Sequence, residues 1–307
     1  MSIHIEKLRE ITSHENNNCR IYENYIDFLE SKKEFNSIEK RALENWGETL
    51  HDKSEQRVLP FEYHYHTIRS ALNGRSILNG KVTLDIGCGE GTDIKSHAKK
   101  YQDKTFFGLD FGTNVDYLSS RDRDIKNLHY MRGDALNLPI NSNTIDSVVS
   151  YGVFHHTSSP SKCMNEAYRV LKKDGTLAIY LYKNHKEMPL KYFGIICENI
   201  LMKITSRIPI SMAKAFCYLI SPIALLLFSY PSLVLKILTK NEKIWKAFPL
   251  YWGTTPKSII RDLQDRLFAS VNFRYSLDEF YNLFKDAGFK EIEVQTTPAG
   301  NYGIGKK

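Results

Sequence analysis

Beginning at Gly80, short apolar segments alternate with segments of helical periodicity, and this alternation limits the fold more than any other feature of the chain. Five segments have the composition of strands: 81–86, 105–109, 128–132, 145–150 and 176–182. Residues 161–171 form the clearest helical segment between them. Strands that alternate with helices are typical of a parallel sheet with right-handed crossovers, so that helices cover both faces. We therefore expect a doubly wound, mainly parallel α/β sheet.

Composition indicates a soluble globular protein. Of the 307 residues, 42% are hydrophobic and 25% are charged, which excludes collagen-like, low-complexity and polytopic membrane chains. The net charge of +7 is spread thinly, without a dense Lys/Arg cluster, and favours an anionic partner only weakly. Five widely spaced cysteines without CxxC pairs predict reduced thiols in a cytoplasmic protein, and the polar N-terminus predicts no secretory signal.

The first strand is followed by the glycine-rich turn LDIGCGEGTD, residues 84–93. Gly87, Gly89 and Gly91 lack Cβ atoms where the backbone must turn sharply and approach a ligand. Amides of the next helix can bind an anionic group of that ligand. Asp110 ends the second strand, where a carboxylate can accept both hydroxyls of a ribose. The pattern predicts a nucleotide site at the carboxyl ends of the strands.

Residues 77–183 closely resemble the class I S-adenosylmethionine-dependent methyltransferases, particularly the methyltransferase type 11 group around the quinone-biosynthetic enzymes. The resemblance depends on LDIGCGEG, on Asp110, on GDALNLPINSNTIDSVVSYGVFHHT (133–157) and on NEAYRVLKKDGTLAIYLY (165–182). Residues 276–294 look like the last helix and strand of that family, so about half the chain is covered. The resemblance implies a Rossmann-like, seven-stranded sheet, with S-adenosylmethionine as cofactor.

The resemblance also assigns roles to individual residues. The methionyl part of the cofactor would be surrounded by Asp85, Gly87, Cys88, Gly89 and Gly91, with Cys88 expected as a packing residue and not as a nucleophile. Asp110 would bind the ribose, Phe111 would make an apolar contact, and Asp134 and Ala135 would hold the adenine. Tyr151 would face the sulfonium. The turn Lys173-Asp174-Gly175 departs from the family's usual Pro-Gly-Gly, which affects turn geometry more than chemistry.

An NAD-binding domain is the nearest alternative, since it shares the glycines and the ribose carboxylate. Asp85 before the glycines and the Gly-x-Gly-x-Gly spacing count against it. In the methyltransferase interpretation a base is needed only if the acceptor carries a proton, and His155 and His156 are the candidates, unless they merely pack within their loop. No ligand spacing for a metal is found near the strand ends.

The aromatic segment 61–66, which begins at Phe61, precedes the first strand and is expected to close over the cofactor as a lid, as in related enzymes. We therefore predict that Tyr63 and His64 touch the cofactor or the acceptor. The alternative is that Phe61, Tyr65 and Ile68 form only the core face of a helix.

Four regions follow from these patterns: an N-terminal helical cover (1–76), the S-adenosylmethionine-binding core (77–183), an inserted helical lid or acceptor region (184–275) and the last core elements (276–307). In the cover, Tyr22, Tyr25, Ile26 and Leu29 have helical spacing. Residues 215–235 carry no charge. Pro222 and Pro231 are expected to divide this run into short helices over the acceptor pocket; peripheral membrane contact and a true span are the alternatives.

We therefore expect an enzyme that methylates a small or lipid-like, partly apolar acceptor, at oxygen or carbon. The alternative is a catalytically silent cofactor-binding subunit that docks a partner through the apolar insertion. Nucleic acid is not an expected substrate, because neither an Asn-Pro-Pro-Tyr type motif nor an RNA-binding module is found. The protein is expected in the cytoplasm, with membrane association if residues 215–235 meet lipid. The oligomeric state is not predicted.

Overall fold

The computed structural model describes residues 2–12, 19–30, 32, 34–47, 63–250 and 255–307. The chain divides into two compact units. Unit one comprises Met1–Asn36, Trp46–Lys183 and Phe273–Lys307, and unit two comprises Ser37–Asn45 and Asn184–Asn272. Residues 37–45 thus belong with the inserted segment, whereas the sequence predicted one N-terminal cover over 1–76. Phe61 of the predicted lid lies outside the described residues.

Within the described residues, unit one contains a nine-stranded sheet in the order β1-β2-β5-β4-β3-β6-β7-β9-β8. Its strands are β1 (Arg20–Ile21), β2 (Tyr25–Asp27), β3 (Val82–Ile86), β4 (Thr105–Asp110), β5 (Leu128–Arg132), β6 (Ile145–Tyr151), β7 (Leu171–Leu181), β8 (Lys290–Thr296) and β9 (Asn301–Lys306). Strands β2 to β7 pair in parallel with one another. β1 pairs antiparallel with β2, and β9 pairs antiparallel with both β7 and β8. The predicted doubly wound, mainly parallel sheet is confirmed, with β1 and β2 added to the expected seven strands.

The added strands replace a predicted helix. Tyr25, Ile26 and Asp27 are all buried and pair with residues 130–132 of β5. The Asp27 carboxylate accepts hydrogen bonds from the Leu29 and Glu30 amides and pairs with Arg132 at 2.9 Å. The helical prediction was wrong because a short apolar run has no reliable periodicity, and the edge of β5 supplied the backbone partners.

Helices cover both faces of the sheet. They are α1 (Ile3–Ile11), α3 (Tyr63–Ala71), α4 (Thr92–Lys100), α5 (Asn114–Arg121), α6 (Pro160–Val170) and α11 (Leu277–Asp286). Apolar residues of α1, α6 and α11 share one core cluster with β3 to β7, whereas those of α3, α4 and α5 contribute to clusters on the other face. Local signals fix the helix starts: Ser276 and Glu279 form a capping box that begins α11, whose Phe280 and Phe284 are fully buried.

The connectivity places one edge of the sheet in position to bind a ligand. β3 pairs with β4 on one side and with β6 on the other, so the chain leaves β3 in one direction and later returns past it. Loops at the carboxyl ends of β3 and β6 therefore diverge, which opens a crevice between them. The predicted glycine turn follows β3 at this position.

Unit two is helical. It contains α2 (Ser37–Ala42), α7 (Pro189–Thr205), α8 (Ile210–Thr239), α9 (Glu242–Trp245) and α10 (Pro256–Leu267). Its core lies between α8 and α10, where Ala213 and Cys217 share a cluster with Ile259 and Leu263. Arg41 of α2 is bound to this unit through the carbonyls of Thr205, Ile208 and Phe268.

The prediction that Pro222 and Pro231 break the apolar run was wrong. α8 is continuous over 30 residues, with a π-helical turn at Leu225–Ser229 between the two prolines. The Ser221 hydroxyl donates to the Tyr218 carbonyl at 3.0 Å, and this carbonyl is the one that the missing Pro222 N–H would have bonded. Compensation of this kind lets a proline stay inside a helix. α8 is long and apolar enough to cross a membrane.

Candidate cofactor site

The glycine turn has the left-handed backbone that the sequence predicts. The φ angles of Gly87, Gly89 and Gly91 are 75°, 54° and 68°. A Cβ on Gly87 would lie 2.2 Å from a Val153 methyl group, whereas a Cβ on Gly89 would meet nothing within 4 Å. Gly87 is therefore held closely by protein, and Gly89 faces open space in which a ligand can approach the backbone.

Asp110 connects the ends of β3 and β4. Its Oδ2 accepts the Gly89 N–H and its Oδ1 accepts the Gly112 N–H, each at 2.8 Å. Burial raises the pKa of this carboxyl, and the backbone hydrogen bonds from Gly112 and Gly89 oppose the rise. Each carboxylate oxygen has two lone pairs, so both can also accept a ribose hydroxyl. The predicted ribose contact therefore fits this geometry.

Two further carboxylates near the turn, those of Asp85 and Asp93, bond to residues of α3. The Tyr65 hydroxyl donates to Asp85 Oδ2 at 3.0 Å. Asp93 accepts the His64 and Tyr65 amides, at 2.9 and 3.2 Å, and lies 2.7 Å from His64 Nδ1. Asp93 therefore caps the first turn of α3 and holds this helix against the glycine turn. Tyr65 is buried, as the core interpretation expected, but it also positions Asp85, a role that the sequence did not indicate.

Three carboxyl groups are buried at the site. Asp85, Asp93 and Asp110 are each at most 7% exposed. The pKa of Asp85 rises to about 8, first because of burial and then because of the nearby Asp93, while the Tyr65 hydrogen bond lowers it. A cation would stabilise the ionised carboxylates, whereas a pyrophosphate would be repelled by them. The cradle therefore fits the ammonium and sulfonium groups of S-adenosylmethionine and does not fit NAD.

The remaining predicted cofactor residues lie at neighbouring strand ends. Asp134 and Ala135 follow β5, and the Leu136 amide donates to Asp134 Oδ1 at 2.9 Å. Phe111 follows Asp110 and packs edge-on against Phe35, with ring centroids 5.9 Å apart. Tyr151 ends β6.

The rings of Tyr151, Tyr180 and His64 form an aromatic wall. Its ring stacks on Tyr180 at 4.4 Å and lies 4.4 Å from the His64 ring. Aromatic faces attract cations, so this wall suits a sulfonium. Tyr63 is 41% exposed, and its ring lies 5.3 Å from that of His64.

His155 and His156 follow β6 in a short 3₁₀ turn. His155 is fully buried, its ring lies 4.0 Å from that of Tyr182, and neither ring nitrogen has a hydrogen-bond partner among the described residues. Burial, with His156 and Arg274 nearby, holds the pKa of His155 well below its usual range. A buried, weakly basic ring is poorly placed to take a proton. The geometry thus favours packing for His155; its catalytic role and that of His156 stay predictions.

The Cys88 thiol lies within this acidic environment. Burial raises its pKa well above the usual value, and the charges of Asp110 and Asp85 raise it further. A thiol that resists ionisation is a poor nucleophile, which agrees with a packing role. In the described part of the chain, no group of three or more His, Cys, Asp or Glu side chains has an arrangement that could hold a metal ion.

A parallel sheet with a glycine turn and a carboxylate at the next strand end defines a nucleotide-binding α/β domain. The family described as "Methyltransferase domain" matches residues 84–179, which include the turn, Asp110, Asp134 and Tyr151. This part of the chain is a class I S-adenosylmethionine-dependent methyltransferase domain, and S-adenosylmethionine is its cofactor.

Relatives of known name match the same region. Cycloartenol-C-24-methyltransferase 1 of Oryza sativa subsp. japonica is 27% identical over 146 residues, which cover 44% of this chain and 40% of that protein. Phthiotriol/phenolphthiotriol dimycocerosates methyltransferase of Mycobacterium leprae (strain TN) is 28% identical over 114 residues (37% and 41%). "Probable tRNA methyltransferase 9B" of Mus musculus is 32% identical over 107 residues (34% and 22%). The chain thus spans less than half the length of each relative, and the three names describe different acceptors.

The elevated pKa of Asp85 predicts that cofactor affinity depends on pH. With a pKa of about 8, Asp85 is mostly protonated at pH 6 and becomes ionised as the pH rises. The predicted contact of Asp85 with the methionyl part of the cofactor, whose ammonium is cationic, needs the ionised form, so affinity should increase about tenfold from pH 6 to pH 7. Titration calorimetry in buffers of different ionisation enthalpy should also detect proton release on binding.

The matched variant is Asp85→Asn, which keeps the shape of the side chain and removes its titration. Its affinity should be nearly constant between pH 6 and 7 and at least about tenfold weaker than wild type at pH 8. The unliganded wild type should lose stability from pH 4 to 8, because its raised pKa makes ionisation more costly in the folded state, and the variant should lose less. Equal pH dependence in both proteins would exclude Asp85 as the ammonium ligand.

Proposed function

We propose that this protein transfers a methyl group from S-adenosylmethionine to a small or lipid-like, partly apolar acceptor, at oxygen or carbon. The observation that carries the proposal is the acidic cradle, in which three buried aspartates surround a left-handed glycine turn. Its charge suits a cationic ligand, and its turn leaves open space at Gly89. When bound there, the cofactor supplies an electrophilic methyl group on sulfur.

The residues of the chain orient and isolate the reactants. Asp110 would hold the ribose hydroxyls and Asp85 the ammonium, which fixes the cofactor on both sides of its sulfonium. Tyr151, whose ring stacks on Tyr180, would help to keep water from the reacting carbon. Alignment and exclusion of water can supply much of the rate enhancement of methyl transfer.

His64 is the best placed base in unit one. A hydrogen bond from Nδ1–H to Asp93 leaves Nε2 as the acceptor nitrogen, and about a quarter of the His64 side chain is exposed. The His64 ring also contacts Tyr151, the residue expected near the sulfonium. We assign the removal of an acceptor proton to His64 in preference to the buried His155.

Two observations support a lipid-like acceptor. Two of the three relatives above are named for cycloartenol and for phthiotriol dimycocerosates. Unit two exposes many large apolar side chains along α7 and α8. For a tRNA acceptor, which the name of the third relative suggests, the sequence offers no RNA-binding module.

Release of S-adenosylhomocysteine tests the proposal. Purified protein with S-adenosylmethionine should release it after addition of a lipid extract, and release should scale with the extract. Total tRNA and a water-soluble extract serve as matched acceptor mixtures. A protein that binds the cofactor but releases no product with any mixture is the silent subunit of the alternative hypothesis. Release with tRNA alone would contradict the lipid-like acceptor.

A further inference from the structure

α8 buries mainly small side chains, with Leu225 as the exception, and exposes most of its large apolar side chains. The buried small residues are Ala213, Cys217, Ser221, Ala224, Ser229 and Ser232. The large side chains that are more than half exposed include Leu219, Ile223, Leu226, Leu227, Ile237 and Leu238. A surface helix of a water-soluble protein shows the opposite arrangement. Small residues at helix contacts and large apolar residues outside are typical of helices that meet lipid.

α7 repeats this arrangement. Phe193, Ile196, Ile200 and Ile204 follow one another at helical spacing, and each is at least 42% exposed. Two charged residues of α7, Lys191 and Glu198, are buried, and Glu198 accepts hydrogen bonds from Arg266 and Asn272, at 3.2 and 3.0 Å. Two consecutive helices of unit two, each packed on α10, therefore present apolar surface outwards, on a scale that marks an interaction site.

The charge of the chain is concentrated in the same unit. Residues 184–272 contain 12 Lys and Arg but only 5 Asp and Glu, whereas the rest of the chain contains 30 of each. The interpretation of the charge as thinly spread was therefore wrong, since the whole excess of +7 lies in the insertion. Exposed basic residues lie near the ends of α7 and α8, at Lys203, Arg207, Lys236 and Lys240. Lysine is depleted from protein–protein interfaces, but it is favoured beside anionic lipid headgroups.

We propose that the exposed apolar faces of α7 and α8 insert into the surface of an anionic lipid bilayer, with the basic residues among the headgroups. The helices lie on the bilayer and do not cross it. Glu198 of α7 forms a largely buried ionic cluster with Asp262 and Arg266 of α10, which also packs on α8, and a crossing would carry these charges into hydrocarbon. Membrane binding itself does not depend on the proposed function. Only the further idea that the membrane supplies the acceptor rests on it.

Vesicle flotation without cofactor tests the docking independently of catalysis. The full chain should float with vesicles of phosphatidylcholine containing about 30 mol% phosphatidylglycerol, at least about tenfold more than with phosphatidylcholine alone. Binding should weaken in 1 M salt, and alkaline carbonate should remove the protein. Lys203→Gln/Arg207→Gln/Lys240→Gln should remove the preference for phosphatidylglycerol.

The apolar variant is Leu219→Gln/Ile223→Gln/Leu226→Gln, which changes exposed positions and should keep the circular dichroism of wild type. It should lose at least about tenfold in binding to the anionic vesicles. Ile21→Gln/Tyr281→Gln removes exposed apolar side chains of unit one and should bind normally. Flotation of the apolar variant at the wild-type level overturns the proposal. The proposal is also overturned if the wild-type protein stays on the vesicles in alkaline carbonate. It is likewise overturned if the wild-type protein forms dimers through this face and does not bind vesicles.

Discussion

Replacement of Asp110 by alanine is expected to lower the affinity for S-adenosylmethionine at least about 100-fold while unfolding stays cooperative. The carboxylate supplies two acceptor oxygens to the ribose, and each charge-assisted hydrogen bond contributes about 1.5–3 kcal/mol. The loss of both exceeds the roughly 2.7 kcal/mol that corresponds to 100-fold. The variant also leaves the Gly89 and Gly112 amides without their acceptor, which loosens the turn.

Asp146→Ala is the matched control for this experiment. Asp146 lies near the start of β6, at the opposite edge of the sheet, and its carboxylate accepts the Lys81 and Val82 amides at 2.9 and 2.8 Å. Both variants therefore remove a carboxylate that holds two backbone amides, and both should lower stability. Only Asp110→Ala should lose the cofactor in titration calorimetry. Unchanged affinity in Asp110→Ala would remove the ribose assignment.

The part of the site that the sequence predicts is the part encoded locally. A glycine turn needs residues that tolerate positive φ, and Gly87, Gly89 and Gly91 all adopt it. Asp110 could be placed because the carboxyl ends of adjacent parallel strands meet at one edge. The fold could be predicted for the same reason, since strand and helix periodicities alternate along the chain.

The rest depends on contacts between distant parts of the chain. Residues 25–27 become a strand because β5 offers an unpaired edge, which no local periodicity reports. Tyr65 bonds to Asp85 from 20 positions away, and Asp93 caps the helix that carries His64. These features become evident only after the elements pack.

The preference for His64 over His155 follows from the same contacts. His155 stands next to β6, where the sequence suggests a base, but its ring is buried against Tyr182 and carries a lowered pKa. His64 lies far from β6 in sequence and reaches Tyr151 because Asp93 binds both its amide and its ring. A carboxylate on Nδ1 fixes the ring orientation and stabilises the imidazolium that forms when Nε2 takes a proton.

His64→Gln should therefore lower kcat about 100-fold for an acceptor that carries a proton, and leave the Kd for S-adenosylmethionine within about twofold. The matched control is His66→Gln, on the same helix. The His66 ring is exposed and shares a hydrogen bond with the Ser70 hydroxyl, so this variant should keep wild-type kcat. Rates are measured with the lipid fraction that supports product release, at a cofactor concentration that saturates both variants. A wild-type kcat in His64→Gln would assign proton removal to another group.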